Sequence, residues 1–212
     1  MTIQAVLTGD LIASTAAAPE RVEAAMAALS RVAREPWLPE DLRFTRFRGD
    51  GWQMLLPRPG LALRLCLRLA AELSARQVGL ATRISLGLGG VDHAGTADLS
   101  DAAGVAFLRS GRGLDRMARG RHWAISGGAA LPLWTAGMIE LAEWQAARWT
   151  AGQAEVVADW LDPVRLTQGE RAGTLGLTRQ AWKSRLDGSG ITAWAQALAA
   201  FEAWDGAGIG DD

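Results

Sequence analysis

Short apolar runs alternate with stretches of helical periodicity along this chain. Ile3-Gln4-Ala5-Val6-Leu7 is an apolar run that stops at Thr8-Gly9-Asp10, the pattern of a buried strand. Pro19 followed by Glu20 and Glu23 opens a helix, with proline in the first turn and acids at the positive end of the dipole. Val22, Met26, Leu29 and Ala33 give that helix one apolar face, and Pro36 and Pro39 end it. Leu42 to Phe47 and Trp52 to Leu56 flank a Gly49-Asp50-Gly51 tip and read as a hairpin. Leu61 to Gln77 is the clearest helix. Leu61, Leu65, Leu69 and Leu73 line one face, while Arg64, Arg68, Glu72 and Arg76 form a polar stripe expected to face solvent with charge pairs along the helix. Thr82 to Gly90 reads as a strand with small residues where something packs closely. Its glycines form no phosphate loop, because no helix follows at the required spacing. Val91 to Ala103 is a polar loop, Gly104 to Ala118 a helix, and His122 to Ser126 a short strand.

This order contains a β-α-β-β-α-β unit. It predicts an α+β chain whose residues 1–126 adopt a ferredoxin-like arrangement, with helices on one face of a mostly antiparallel sheet. The remainder reads as all-α. A connecting helix within 127–149 is expected to break near Pro132, and another helix runs from Thr150 through Trp160. A helix-turn-helix pattern follows. Ala172 is small where two helices would cross, Gly176 sits where a turn wants positive φ, Leu177 packs inward and Thr178 caps the next helix. Residues 150–204 form this second domain, and 205–212 read as a flexible tail. In a DNA complex, Arg179 and Gln180 suit base edges, while Lys183 and Arg185 suit phosphates. The same three-helix pattern also serves protein contacts. Residues 150–204 hold five cations against six acids, so counterion release gives DNA binding little help.

Composition narrows the classes. A net charge of -1 announces no nucleic-acid or membrane partner by itself. One cysteine, Cys66, permits no internal disulfide, and no apolar run reaches spanning length; a cytoplasmic protein is expected. Lys183 is the only lysine, so any cationic role elsewhere falls to arginine. Residues 1–126 hold 16 arginines against 12 acids, and the rest of the chain six cations against 11 acids. The positive excess lies on the first domain. Eight of the ten tryptophans lie from position 123 onward and are expected to fill the second domain's core and its contact with the first.

The candidate chemistry sits at two strand ends. Asp10 follows the first strand, and Asp50 forms the hairpin tip between two glycines. With the first strand beside the hairpin, both carboxylates converge at one end of the sheet. Such a pair suits a hard divalent cation, which can bridge nucleotide phosphates. Each Asp alone is more often an ordinary turn former or helix cap.

Asp10-Leu11-Ile12-Ala13-Ser14-Thr15 and Gly49-Asp50-Gly51 together resemble the two metal-binding segments of class III nucleotidyl cyclases. The likeness covers about residues 1–126. It implies Mg²⁺ or Mn²⁺ held by Asp10, Asp50 and the Leu11 backbone carbonyl. Asp101-Ala102-Ala103-Gly104 with Arg112 fits a third motif of that family, which implies that Asp101 selects a purine and that Arg112 is the catalytic cation at the α-phosphate. The base-selecting Lys of the family falls on Arg46. Two departures stand out: the ribose-orienting Asn falls on Leu108, whose alkyl side chain cannot hydrogen-bond, and the late phosphate-binding Lys has no counterpart. The resemblance implies a head-to-tail homodimer with active sites between chains. The runs Phe47-Arg48-Gly49-Asp50-Gly51-Trp52-Gln53 and Ser110-Gly111-Arg112-Gly113-Leu114-Asp115, with the helix-turn-helix, are similar to the SatD family of bacterial proteins. That likeness carries architecture and no mechanism.

Three functional expectations follow. The first is a homodimeric regulator that binds a purine nucleoside triphosphate through a metal and contacts DNA. The second is an active nucleotidyltransferase, either a cyclase or a maker of short oligonucleotides. The third is an interaction module with a vestigial site.

Overall fold

The computed structural model describes residues 2–47 and 49–210; Arg48, within one of the runs quoted above, lies outside the described residues. Strands β1 (Gln4–Leu11), β2 (Arg43–Phe47), β3 (Gly51–Leu56), β4 (Thr82–Gly89) and β5 (Trp123–Ser126) form one sheet in the order β2-β3-β1-β4-β5. Every neighbouring pair is antiparallel except β4 with β5. Helices α1 (Pro19–Val32), α2 (Ala62–Ala75) and α3 (Val105–Asp115) connect them. The chain is therefore α+β with a mixed sheet.

The two faces of the sheet are built differently. Ile84, Leu86 and Leu88 of β4 join Ala5, Leu7, Trp52 and Met54 in the large core beneath α1 and α2. The alternate β4 positions are Ser85, Gly87 and Gly89, and they receive α3. A Cβ at Gly87 would collide with the Ala106 carbonyl and the Ser110 amide, and one at Gly113 would collide with the Ser85 hydroxyl. Backbone meets backbone there because the side chains are small. Helices thus cover both faces, not the single face expected from the element order. The parallel β4-α3-β5 connection requires a helix of its own, and the small residues of β4 give it a seat.

Five more helices follow: α4 (Leu133–Ala146), α5 (Ala151–Leu161), α6 (Gln168–Thr174), α7 (Arg179–Ser189) and α8 (Ala195–Trp204). Pro132 is the N-cap of α4, and Thr150 and Gln153 close a capping box on α5. The α6–α7 turn has the expected local chemistry. Gly176 takes φ +65°, Leu177 N–H donates to the Ala172 carbonyl at 2.8 Å, and the Thr178 hydroxyl accepts from Ala181 N–H at 3.1 Å.

These helices share the core of the sheet. One cluster of buried side chains runs from Ala5 through Leu65 and Leu69 to Val157, Trp182 and Phe201. The polar stripe of α2 is consequently covered, not solvated. Arg64 donates to Glu202 of α8 at 2.7 Å and to the Leu161 carbonyl at 2.9 Å, and the Arg68 side chain is 11% exposed. Helical spacing foretold the pairing of Arg68 with Glu72, but Arg64, expected to pair there too, bonds Glu202 instead, and the burial beneath α5 and α8 was not foretold. The tryptophans divide: Trp123, Trp149 and Trp182 are buried, whereas Trp134 and Trp144 of α4 stand exposed beside Leu133 and Leu141. The stretch after α8, read as a flexible tail, is fastened over its described part. Asp205 accepts from Gly60 N–H at 2.7 Å, Ile209 is buried, and the Gly210 carbonyl accepts from Arg109 at 2.7 Å. Among the described residues no helix is long and apolar enough to cross a membrane.

Candidate functional site

Antiparallel register builds the site. β1 lies between β3 and β4, so Asp10 stands opposite Gly51 on one side and Arg83 on the other. Asp50 immediately precedes Gly51, and its carbonyl accepts from Leu11 N–H at 3.3 Å. The two acids therefore occupy one end of the sheet, as the strand-end pattern suggested. Gly9 leaves room for this arrangement. A Cβ there would strike the Arg83 carbonyl and the Trp52 indole. The indole crosses β1 at that point and donates to the Thr82 hydroxyl at 2.9 Å, which in turn donates to the Asp10 carbonyl at 2.8 Å. The backbone beneath Asp10 is pinned by a buried aromatic ring.

The Asp10 carboxylate is already engaged. Arg83 grips both of its oxygens, with Nε donating to Oδ1 at 2.7 Å and Nη2 donating to Oδ2. Arg83 is held further toward its charged form, first by the hydrogen bond to Asp10, then by the charges of Asp10, Asp115 and Asp50. One guanidinium thus sits among three carboxylates, at the place where the sequence called for a metal. Asp50 accepts from the Ser14 hydroxyl. Arg83 is the residue that sequence reading missed. Its signal was faint: a single cation at the start of an otherwise buried strand, 73 residues from its partner.

Two carboxylates and a strand-end carbonyl fit Mg²⁺, which takes one or two carboxylates and completes its shell with water and phosphate oxygens. Among the described residues no three His, Cys, Asp or Glu side chains are grouped for an all-protein metal cage. A metal here would compete with the Arg83 fork for Asp10 and draw its remaining ligands from outside the protein.

Of the other residues from the sequence reading, Arg46 stands near Asp50, whose charge acts on it, and the rest have partners or faces of their own. Arg46 makes two 2.7 Å bonds to Glu23 of α1 and a 2.6 Å bond to the Gly49 carbonyl. Asp101 accepts from the amide and hydroxyl of Thr96, at 3.0 and 2.8 Å; those bonds, backbone first, hold its carboxyl down to about 2. It therefore ties its own loop. Arg112 is exposed on α3, one helical turn beyond Leu108, which is 55% exposed. On α7, Arg179, Gln180 and Lys183 are exposed, but Lys183 donates to both oxygens of Asp187 at 2.6 Å. Arg185 faces α5 and bonds Glu155 at 2.8 Å, so it is not presented with the other three.

A hollow of about 360 Å³ opens beside Asp10, lined also by Arg83, Arg119, Arg121 and His122. Cys66 plays no part: it is fully buried, and burial pushes its thiol up, far from reactive thiolate character. In comparison with known proteins, no family model and no curated protein matches this chain.

Proposed function

We propose that this chain is a nucleotide- and metal-binding regulator. Its first part would be a cyclase-like domain of ferredoxin-like type, and its helix-turn-helix the output element. One observation carries the reading: Asp10 and Asp50 occupy the same end of the sheet, where the Arg83 guanidinium already grips the Asp10 carboxylate. Mg²⁺ or Mn²⁺ at that point would take oxygens from Asp10, Asp50 and Leu11 and would bridge the phosphates of a purine nucleoside triphosphate. Leu108 and Arg112 share an exposed face of α3. In a head-to-tail homodimer that face would offer Arg112 to the partner's phosphates. DNA contact would rest on Arg179, Gln180 and Lys183, with Asp187 reducing the charge available.

A second reading, an interaction module with a vestigial site, has its own support. Arg46 is committed to Glu23, Asp101 to Thr96 and Asp10 to Arg83. Against active ring closure stands the alkyl side chain at position 108. Losing one fixed donor at a reacting centre costs about 3–4 kcal/mol of transition-state stabilisation. The test is mass spectrometry after incubation with Mn²⁺ and each of the four nucleoside triphosphates. The regulator reading expects every triphosphate to return unchanged. A cyclic or linked product that is absent with Asp50→Asn would instead make the protein a nucleotidyltransferase.

A further inference from the structure

The hollow beside Asp10 does not stand alone. A cavity of about 480 Å³ lies next to it, between the end of α2, the start of β4 and the inner side of α4. Ile12 and His122 line both spaces, and Thr82 of the cavity wall holds the Asp10 carbonyl. The two differ in character. The cavity is walled by Leu73, Leu80, Trp123, Ala146 and Trp149. The hollow carries Arg83, Arg119 and Arg121. Arg83 and Arg121 are paired with Asp10 and Glu140, whereas Arg119 has no ion pair among the described residues and is the cation there that can meet an anion.

Polar groups stand at the cavity margin. Glu143 receives the backbone N–H groups of His122 and Trp123, each at 2.9 Å, and its side chain is 14% exposed. It is an anchored acceptor beside an apolar wall. Gln77 leaves α2 with φ +51°, in the left-handed region where glycine is usual, and it lines the same margin. Cavities of this size, mostly apolar with a few fixed polar groups, are the usual form of small-molecule sites.

We infer that the paired spaces form one amphipathic ligand site within a single chain: an aromatic heterocycle bearing an amino group enters the apolar cavity, and its phosphates lie in the arginine-lined hollow by Asp10. The inference rests on the nucleotide reading above and moves the base away from Arg46 and Asp101, which are held by Glu23 and Thr96. Indole and aliphatic walls suit a flat ring. Glu143 suits its exocyclic amine, and Gln77 can both donate and accept.

The experiment compares Mn²⁺-ATP, Mn²⁺-GTP and Mn²⁺-tripolyphosphate by calorimetric titration of the full chain. The proteins are wild type, Ala146→Phe in the cavity wall, Ala147→Phe at its open rim, and Asp50→Asn. Both phenylalanine variants are expected to weaken the better nucleotide at least about tenfold and to leave tripolyphosphate unchanged. Nucleotide binding that both variants retain but Asp50→Asn loses would overturn the cavity assignment and leave the metal reading standing. Equal loss of nucleotide and tripolyphosphate in both variants would also overturn it, since no separate base subsite would then exist. If neither nucleotide nor tripolyphosphate binds wild type, the nucleotide reading falls and the inference with it.

Discussion

Replacing Arg83 with alanine is expected to tighten Mn²⁺ binding, measured without nucleotide by titration calorimetry, by about tenfold. The Asp10 carboxylate has two good partners in prospect and room for one. In the structure Arg83 takes both oxygens in a fork, the strong geometry for an arginine–carboxylate pair. A metal competes with that fork for the same carboxylate. Removing the guanidinium leaves the Asp10 carboxylate without its partner at the sheet end it shares with Asp50, and a divalent cation can take that place. The pair is partly exposed, 37% for Arg83 and 26% for Asp10, so its loss costs the fold only about 0–1 kcal/mol. Unchanged or weaker Mn²⁺ binding in Arg83→Ala would mean that Arg83 is a structural partner of Asp10 and not a stand-in for the metal.

The second large effect concerns stability. Glu72→Leu is expected to destabilise the chain by about 3 kcal/mol, near the lower end for breaking a buried ion pair. The Glu72 side chain is 6% exposed and accepts bonds from Arg31, Arg68 and Arg76. Arg31 and Arg76 are about half exposed and can turn to solvent, but Arg68, at 11%, cannot. It would remain buried with only Glu35 opposite it. Arg76→Ala, by contrast, should cost about 0–1 kcal/mol, because it removes the exposed partner. Urea unfolding of the two variants beside wild type measures the difference.

The same carboxylate controls acid stability. Burial alone would raise the Glu72 carboxyl; the charge of Arg68 and the bonds from Arg68, Arg76 and Arg31 outweigh it and hold the group down to about 2, from 4.5. A depressed carboxyl contributes stability above its unfolded value, and that contribution is lost as pH falls from 4.5 toward 2. Glu35 and Asp159 act in the opposite sense, because burial raises them, so their contribution falls as pH rises. Wild type should therefore lose more stability than Glu72→Gln between pH 5 and pH 3. Parallel losses in the two proteins would contradict the assignment.

What the sequence discloses depends on how local the determinant is. Asp10 and Asp50 were legible because a strand end and a Gly-Asp-Gly hairpin are written in adjacent residues. The turn at Gly176 and the cap at Thr178 were legible for the same reason. Arg83 was not, because only the β1–β4 register sets it opposite Asp10. The α3-covered face was half written. The small residues Ser85, Gly87 and Gly89 announced close packing, but nothing nearby named the helix that fills the space. Arg64 and Arg68 show the limit of periodicity. Spacing gave the pairing of Arg68 with Glu72 along the helix but not that of Arg64 with Glu202, and the docking of α5 and α8 decided their burial. Ile209 teaches the same lesson for the chain's end: one apolar residue among glycines and acids does not announce a docked segment.

The most direct test of the central claim is the affinity of Mn²⁺-nucleoside triphosphate for wild type and for Asp50→Asn, by titration calorimetry. A metal shared by Asp10 and Asp50 requires binding by wild type and weakening of about a hundredfold or more when the Asp50 charge is removed. Equal affinity in the two proteins, or no binding by wild type, would contradict the claim that this end of the sheet is a metal–nucleotide site.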